Sequence, residues 1–260
     1  MLVIGGNDPL GGAGLCADIQ ALARLGCHAA PIITAVTCQT TCGVRGFSAV
    51  TPDLVGEQIA CVLEELPVAS VKTGMLASPA VVASTVAALS RYPDIPLVVD
   101  PVLASNRGDA LSEHSLIDAL ANQLAPRARV LTPNLPELQA LIANRGRGAM
   151  NAATLSTDIG VDLLVTGSHD TTTEKVVNRL YRSDEQPVVD WQWERLPGEY
   201  HGSGCTLASA LAAGLAHGLD LVDAATQAQD FTWQALSQSH VSGQCQHIPN
   251  RTSPGPGEAR

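Results

Sequence analysis

Basic residues are scarce in this chain. Fifteen lysines and arginines stand against 25 aspartates and glutamates, which gives a formal net charge of −10 over 260 residues. Binding to nucleic acids or anionic membranes requires a basic surface that displaces counterions, and this composition supplies none. We therefore expect no nucleic-acid partner and no membrane partner. A negatively charged substrate must be held locally, by backbone amides and a metal ion, because the overall field repels it.

Long apolar runs and targeting segments are also lacking. No stretch reaches the roughly 18 consecutive apolar residues of a membrane-spanning helix. Met1 leads straight into the apolar run Leu2–Gly5, without the charged segment that opens a secretory signal. These features indicate a cytoplasmic protein. The balance of 45% hydrophobic and 15% charged residues is that of a globular chain, long enough to bury a sizeable core.

The cysteines suggest neither a disulfide framework nor a zinc site. There are seven, an odd number, and most lie in or beside apolar runs, as reduced core thiols do in cytosolic proteins. Cys38 and Cys42 are close in sequence, but no second Cys or His pair completes a zinc site. We interpret that pair as structural.

Apolar strands alternate with helical patterns along residues 1–240. The run Ala29–Val36 is nearly continuous, which is typical of a strand buried on both faces of a parallel sheet. At least five such strands alternate with helices, so we predict an α/β fold with a mainly parallel central sheet and helices on both faces. No linker divides residues 1–240, which we interpret as one domain. Residues 241–260 are rich in Ser, Gly, Gln and Pro and are predicted to form a mostly disordered tail.

The most informative stretch is His201–Thr206, which precedes a small apolar run with helical spacing, Leu207–Leu215. Two glycines before the first turn let backbone amides approach a ligand closely. The first amides of a helix lack partners within the helix, and the dipole there is positive, so this combination favours anion binding. We call His201–Thr206 the cradle. Cys205 lies at this end, where the field should lower the pKa of its thiol. The alternative is an ordinary glycine-rich turn before a core helix.

Four further polar segments follow predicted strands. They are Gly6–Gly14, Thr37–Thr40, Asp100–Val102 and Asn134–Glu137. In open α/β sheets ligands bind at the carboxyl ends of the strands, so we expect these segments and the cradle to form one cleft. The oxygens at the two ends of Asn134–Glu137 can hold a hard cation such as Mg²⁺. The alternative for this segment is a helix N-cap followed by an acidic first turn.

Taken together, the motifs resemble those of the hydroxymethylpyrimidine/phosphomethylpyrimidine kinases, a family of the ribokinase-like superfamily. The resemblance spans roughly residues 2–238, with the motifs in the family's order. The motifs are Gly6-Asn7-Asp8-Pro9-Leu10-Gly11-Gly12-Ala13-Gly14, Ala17-Asp18, Thr34-Ala35-Val36-Thr37-Cys38-Gln39-Thr40-Thr41, Lys72-Thr73-Gly74-Met75-Leu76, Asp100-Pro101-Val102, Thr132-Pro133-Asn134-Leu135-Pro136-Glu137 and His201-Gly202-Ser203-Gly204-Cys205-Thr206.

The resemblance implies a ribokinase-like three-layer α/β/α fold and a homodimer. It also implies ATP- and Mg²⁺-dependent phosphorylation of 4-amino-5-hydroxymethyl-2-methylpyrimidine and then of its monophosphate, in thiamine biosynthesis. The residues that it assigns to the substrate are Gly6, Asp8, Ala13, Asp18, Gln39, Met75 and Val102.

The resemblance assigns the chemistry to the cradle. Cys205 would be the general base, at the position where sugar kinases of the superfamily have an aspartate, and the amides of Gly202, Ser203 and Gly204 would stabilise the transferring phosphoryl group. Mg²⁺ would be held by Asp100, Asn134 and Glu137. The residues expected at the ATP phosphates are Asn106, Arg107, Thr166 and His201.

The chain departs from the family's pattern at several positions. Leu10 replaces a usual serine, Asn106 lies near the position of a lysine, and Thr166 replaces a second lysine. Arg107 is a candidate substitute for one of these charges. Two other functions therefore stay open: a pyridoxal kinase of the same fold, and a catalytically weakened regulatory protein that keeps the pyrimidine pocket.

Overall fold

The structure is a computed structural model that describes residues 1–103, 114–146, 150–170, 172–184 and 186–253. Within these residues the strands are β1 (Leu2–Asn7), β2 (Ala30–Thr40), β3 (Gly43–Ala49), β4 (Val71–Thr73), β5 (Leu97–Val99), β6 (Val130–Leu131), β7 (Asp162–Val165), β8 (Lys175–Tyr181) and β9 (Val189–Glu194). The α-helices are α1 (Gly14–Arg24), α2 (Pro52–Glu65), α3 (Pro79–Leu89), α4 (His114–Ala119), α5 (Leu135–Asn144), α6 (Ala152–Ile159), α7 (Ser203–Ala216) and α8 (Leu221–Ser237). A π-helical turn (Leu120–Leu124) and a 3₁₀ turn (Ala125–Arg127) continue α4.

All of the described strands join one sheet in the order β3-β2-β1-β4-β5-β6-β7-β8-β9. The pairs from β2 through β1 and β4 to β7 are parallel, and β3, β8 and β9 pair antiparallel at the two edges. The mainly parallel α/β architecture predicted from the sequence is therefore confirmed. The chain moves from β1 to β2 on one side and returns to β4 on the other, so β1 stands at a topological switch point, where such sheets bind ligands.

Successive residues of the central strands pack into different hydrophobic clusters. Leu2 and Ile4 of β1 lie in a cluster with side chains of α2 and α3. Val3 packs instead with Leu15 and Leu22 of α1. Because alternate side chains of a strand point to opposite faces, α2 and α3 pack on one face of β1 and α1 packs on the other.

The small residues of α7 allow it to lie deep in the molecule, and every side chain position from Thr206 to Gly214 is buried. A methyl group at Gly214 would lie 2.8 Å from the Cβ of Ala224, so glycine permits close packing of α7 against α8. The buried position of α7 places its amino-terminal end, which carries the predicted cradle, inside the molecule.

The prediction that Ala29–Val36 is buried on both faces is wrong. Along β2 burial alternates, and Ile33 and Val36 remain more than one-third exposed. An irregularity in the pairing with β1 separates Ile33 from Ala35, which keeps Ile33 and Val36 on the same exposed face. Apolar composition could not reveal this, because β2 lies next to the edge strand and only its other face packs against the core cluster that contains α2.

The prediction of a disordered tail from residue 241 is wrong for the described residues 241–253. Gln246, Ile248 and Arg251 are buried, and Ile248 exchanges backbone hydrogen bonds with His240. A disulfide joins Cys245 to Cys42, so these two cysteines are not the reduced core thiols expected from the sequence. The physical reason is that the segment gains its order from contacts with distant loops and not from apolar periodicity of its own. Residues 254–260 lie outside the described part.

Candidate active site

The predicted polar segments surround one cavity at the carboxyl ends of the central strands. All of the predicted site residues line it except Asn106 and Arg107, which lie outside the described residues. Those that line it are Gly6, Asp8, Ala13, Asp18, Gln39, Met75, Asp100, Val102, Asn134, Glu137, Thr166, His201, Gly202, Ser203, Gly204 and Cys205.

Asp8 organises the glycine-rich loop that follows β1. Its carboxylate accepts hydrogen bonds from the amides of Leu10 (2.9 Å), Gly12 (2.9 Å) and Ala13 (2.8 Å) and lies 3.0 Å from His201 Nε2. Burial would raise the pKa of Asp8, but the hydrogen bonds from His201 and the loop amides lower it below its ordinary value. Asp8 and His201, predicted to contact substrate and phosphate, therefore also join the first loop to the cradle.

The cradle and the first loop touch through their backbones. Gly202 precedes α7 with φ 75°, in the left-handed region, and a methyl group there would lie 2.1 Å from the Gly12 carbonyl oxygen. Only glycine satisfies both requirements. The Thr206 amide bonds back to the Gly202 carbonyl at 3.0 Å, which leaves Ser203, Gly204 and Cys205 in the first turn, where amides have no acceptor within the helix.

A buried lysine lies on the floor of the cavity. Lys72 Nζ donates to both oxygens of Asp18, at 2.9 and 3.0 Å, and lies 3.9 Å from Asp100 Oδ2. Burial alone would lower the pKa of Lys72, but attraction to Asp18, Cys205 and Asp100 outweighs it and raises the pKa. Ser209 Oγ also donates to Asp18 at 2.8 Å. Asp18 is thus committed to holding Lys72, a role that the sequence analysis missed although Lys72 belongs to one of the motifs.

The prediction of a lowered thiol pKa at Cys205 is wrong. Burial raises its pKa to about 12, assisted by the negative charges of Asp100 and Asp18; Lys72 and a hydrogen bond from the Gly14 amide only partly oppose this. The helix dipole therefore does not dominate, because the thiol lies in a poorly solvated site beside two carboxylates. Cys205 also donates a hydrogen bond to Asp100.

Asp100 and Glu137 form an acidic pair on the same wall. Burial raises the pKa of Asp100 to about 6, although Lys72 opposes the shift. Burial and repulsion by Asp100 raise the pKa of Glu137 to about 8. The buried atoms Asp100 Oδ2 and Thr132 Oγ1 have no hydrogen-bond partner among the described residues. This donor set suits a hard cation, which would neutralise the pair and use the unsatisfied oxygens.

Asn134 and Glu137 also form the helix cap that was the alternative interpretation. Asn134 Oδ1 accepts from the Glu137 amide and Glu137 Oε2 accepts from the Asn134 amide, each at 2.9 Å. The Glu137 carboxylate also accepts a hydrogen bond from the Leu103 amide, and its two oxygens, with about four lone-pair sites, retain acceptor capacity for a cation. No group of three or more His, Cys, Asp or Glu side chains in the described ranges is arranged to hold a metal ion. Mg²⁺ commonly takes one or two carboxylates and completes its shell with water and substrate phosphates.

A second cavity opens from the first near Thr166, Ser203 and Gly204. Trp193 and Trp233 stack on its wall with ring centroids 6.3 Å apart. Behind them Gln229 Oε1 accepts from Trp193 Nε1 (3.1 Å) and from Asn178 Nδ2 (2.8 Å). No motif in the sequence predicts this cavity. The two tryptophans come from β9 and α8, and nothing in their spacing indicates that they meet.

The carboxyl-terminal segment also reaches the site, and the sequence analysis missed it. Gln246 lines both cavities. Arg251 is buried between the two glycine-containing loops, where it donates to the Gly12 carbonyl at 2.6 Å and to Thr206 Oγ1 at 2.7 Å. A polar segment without periodicity carries no sequence signal for such contacts.

No helix in the part of the chain that the structure describes is both long and apolar enough to cross a membrane.

Comparisons with known proteins place the chain in a family. The family model for phosphomethylpyrimidine kinase matches residues 8–250. A hydroxymethylpyrimidine/phosphomethylpyrimidine kinase from Mycobacterium bovis is 40% identical over 252 residues, covering 94% of this chain and 90% of that protein. The crystal structure of a phosphomethylpyrimidine kinase from Clostridium difficile has a TM-score of 0.76 at 29% identity, covering 90% of this chain and 98% of that one.

A pyridoxal kinase is also similar in structure. The ADP complex of the Bacillus subtilis enzyme has a TM-score of 0.85 at 25% identity and covers 96% of each chain. The fold is therefore shared with small-molecule kinases. The family match and the identity to its members are decisive within that class: this chain belongs to the phosphomethylpyrimidine kinase family.

Proposed function

We propose that this protein transfers the γ-phosphoryl group of ATP to the hydroxymethyl group of 4-amino-5-hydroxymethyl-2-methylpyrimidine and then phosphorylates the resulting monophosphate. The single observation that carries the proposal is the position of Cys205 and the first-turn amides of α7. They share one cavity with Gln39 and with the acidic pair Asp100 and Glu137. An alcohol, a phosphoryl group and a cation can therefore meet there.

The pyrimidine would lie between the polar and apolar walls of the first cavity. Gln39 offers both a donor and an acceptor to the edge of a heterocycle. Met75 and Val102 provide apolar surface, and Gly6 leaves room beside them, since a methyl group there would lie 3.2 Å from Met75 Sδ. This combination of apolar walls and a few oriented polar groups is typical of small-molecule sites.

Cys205 and Asp100 provide a path for the proton of the substrate alcohol. The Cys205 thiol is protonated at neutral pH and donates to Asp100. As the alcohol oxygen attacks the γ-phosphorus, its proton passes to Sγ and the thiol proton passes to the Asp100 carboxylate. The bond from phosphorus to the leaving oxygen breaks and ADP departs. Lys72 Nζ lies 3.9 Å from Asp100 Oδ2 and opposes the rise in the pKa of Asp100, which favours the ionised carboxylate that accepts this proton.

Asp100 and Glu137, with Asn134 beside them, would hold Mg²⁺. The ion would neutralise charge on the phosphates of ATP. The amides of Ser203, Gly204 and Cys205 would stabilise the oxygens of the transferring group. Thr166 and His201 lie along the same cavity, on the phosphate side of this proposal.

The nucleoside of ATP would occupy the second cavity. Its tryptophan pair offers aromatic surface for a purine base. The two cavities share Ser203 and Gly204, so a nucleotide in the second cavity directs its phosphates towards the cradle. ADP complexes among the structural relatives support nucleotide binding in this fold.

The remaining parts of the proposal concern the whole protein. The separate hydrophobic clusters formed by alternate residues of the central strands support a ribokinase-like three-layer arrangement. The exposed side chains Ile33 and Val36 on β2 support a homodimer that covers them. A cytoplasmic location is also part of the proposal, because the enzyme requires ATP. The Cys42–Cys245 disulfide would then face a reducing environment.

Pyridoxal kinase is the second candidate, because the TM-score to the B. subtilis enzyme is 0.85 against 0.76 for the C. difficile enzyme. An ADP-release assay with Mg·ATP and each acceptor separates the candidates. The proposal expects a higher kcat/KM with the hydroxymethylpyrimidine, whereas a higher value with pyridoxal would reassign the substrate. Binding of the pyrimidine without any turnover would favour the regulatory alternative.

A further inference from the structure

Arg251 lies in the carboxyl-terminal segment, yet its side chain is only 1% exposed. Its guanidinium reaches the backs of both loops that form the cavity. Nη2 donates to the Gly12 carbonyl at 2.6 Å and lies 3.4 Å from the Gly202 carbonyl and 3.5 Å from the His201 carbonyl. Nε donates to Thr206 Oγ1 at 2.7 Å, and Nη1 donates to Gln20 Oε1 at 3.3 Å.

These contacts orient peptide groups of the cradle. The carbonyl and the amide of a trans peptide point in opposite directions. A hydrogen bond to the carbonyl therefore also fixes the direction in which the amide of the next residue points, on the opposite side. Arg251 contacts the Gly202 carbonyl, whose peptide carries the Ser203 amide. It also holds that carbonyl indirectly, because Thr206 Oγ1 accepts from Arg251 Nε and donates to Gly202 O at 2.8 Å.

The same side chain acts on the first loop. Its shortest bond is to the Gly12 carbonyl, whose peptide carries the Ala13 amide. That amide donates to Asp8 Oδ2 at 2.8 Å. Arg251 thus joins the loop after β1 to the first turn of α7, and both loops line the cavity.

Burying a cation only to join two loops would cost free energy of folding. Removing a guanidinium from water costs free energy that must be recovered through hydrogen bonds and nearby negative charge. Here the planar fork meets acceptors from several directions, and the charges of Asp8 and Asp18 stabilise the cation. A lysine ammonium, as a single point of charge, could not reach the same set.

We propose that Arg251 is a positioning residue for phosphoryl transfer: it holds the Gly202–Ser203 peptide group, whose amide faces the transferring phosphoryl group, and fixes the first loop against it through the Gly12 carbonyl. Arg251 lines neither of the two cavities, so it would act through these peptide groups and not on the substrate directly. The proposal rests on the proposed kinase function for its kinetic consequence. Its structural part, that Arg251 orders residues 12–14 and 202–206, can be tested without turnover.

The test compares Arg251→Ala and Arg251→Lys with the wild type and with Arg24→Ala. Arg24 is a matched control because its Nε donates to the Ser253 carbonyl at 3.2 Å, in the same segment but away from the cradle. The assay measures kcat and the KM of each substrate, with and without guanidinium chloride at a non-denaturing concentration, against sodium chloride at equal ionic strength. Amide hydrogen exchange reports on residues 12–14 and 202–206.

For Arg251→Ala we expect kcat to fall about 10–100-fold, the cost of a slightly misplaced catalytic group, with an unchanged KM for the pyrimidine. Guanidinium, and not sodium, should restore part of kcat and slow the accelerated exchange of both segments. Arg251→Lys should also lose activity, and Arg24→Ala should retain it. If Arg251→Ala does not fold, Arg251→Lys decides alone: wild-type kcat together with wild-type exchange overturns the proposal.

Unchanged kcat and exchange in Arg251→Ala overturn the proposal, as does a loss that Arg24→Ala reproduces and guanidinium does not rescue. If the wild type itself shows no turnover, the kinase proposal fails, and exchange with guanidinium rescue still decides the role of Arg251. Accelerated, guanidinium-sensitive exchange supports it in that case, and unchanged exchange contradicts it.

Discussion

Lys72 Nζ lies 2.9 Å from Asp18 Oδ1 at the floor of the active-site cavity, and both side chains are almost completely buried. The same ammonium is 3.9 Å from Asp100 Oδ2. Asp100 in turn accepts a hydrogen bond from Cys205. One buried cation therefore balances two carboxylates beside the Cys205 thiol.

Replacing Lys72 by methionine should destabilise the protein by about 3–5 kcal/mol, because it leaves Asp18 buried without its cation. Urea denaturation measures the change in the free energy of unfolding. Lys175→Met is the control, since Lys175 is exposed on β8 and should contribute little. A Lys72→Met protein as stable as the wild type would contradict the charge balance described here.

Removing the disulfide should weaken the attachment of the carboxyl-terminal segment. Cys42 and Cys245 are 203 residues apart in sequence, so the bond restricts a long loop in the unfolded chain. Cys245→Ser should lower the free energy of unfolding by about 2–4 kcal/mol. Thermal unfolding with and without dithiothreitol measures it, and reduction should lower the Tm of the wild type but not of Cys245→Ser.

Cys38→Ser is the matched control, because Cys38 is an exposed free thiol on the neighbouring strand. Its Tm and its response to dithiothreitol should equal those of the wild type. Equal Tm values for oxidised and reduced wild type would show that the bond contributes nothing to stability.

Replacing Gly202 by alanine should abolish the cradle. The new methyl group would lie 2.1 Å from the Gly12 carbonyl oxygen, and the left-handed backbone alone costs about 1–2 kcal/mol. Gly218→Ala separates the two effects, since Gly218 has φ 82° but nothing within 4 Å of the added atom. We expect both variants to lose stability in urea denaturation and only Gly202→Ala to lose kcat. Equal kcat in the two variants would contradict the close approach of the loops.

Asp162 should make stability depend on pH in the acidic range. Burial would raise its pKa, but hydrogen bonds from the Ser183 amide and from Arg129 lower it below 3.8. A lowered pKa means that the contribution is complete above the unfolded pKa and is lost as the pH falls through the folded one. Asp162→Asn should therefore lower the free energy of unfolding by about 1.5–3 kcal/mol at pH 7 and by progressively less below pH 3.8.

Asp190→Asn is the control for this measurement, because Asp190 and its partner Arg179 are both nearly half exposed. Exposed pairs contribute little, so its urea denaturation curves should follow the wild type at every pH. A stability loss in Asp162→Asn that does not diminish at low pH would exclude the ionised carboxylate as its source.

Periodicity and motif order were sufficient to predict the mainly parallel sheet and the segments that meet at the cavity. They failed where the outcome depends on neighbours that are distant in sequence. The pKa of Cys205 follows from Lys72, Asp18 and Asp100, which surround a buried thiol, and not from the helix end that the sequence reveals.

The same limitation explains the ordered carboxyl-terminal segment. Arg251 sits in a polar stretch with no apolar pattern, and it is fixed only by acceptors on loops near residues 12 and 202. The tryptophan pair of the second cavity likewise forms between β9 and α8. A sequence pattern describes the local element and cannot report a contact that the fold creates.

The transfer of a phosphoryl group beside Cys205 is tested most directly by kcat for the hydroxymethylpyrimidine in Cys205→Ala. Cys16→Ala is the matched control, since Cys16 is a partly buried free thiol 3.5 Å from the Asp8 carbonyl in the adjacent loop. Loss of a general base lowers rates about 10²–10⁴-fold. We predict a fall of that size in Cys205→Ala with unchanged KM values, and wild-type kcat in Cys16→Ala; wild-type kcat in Cys205→Ala would contradict the proposed role of the thiol.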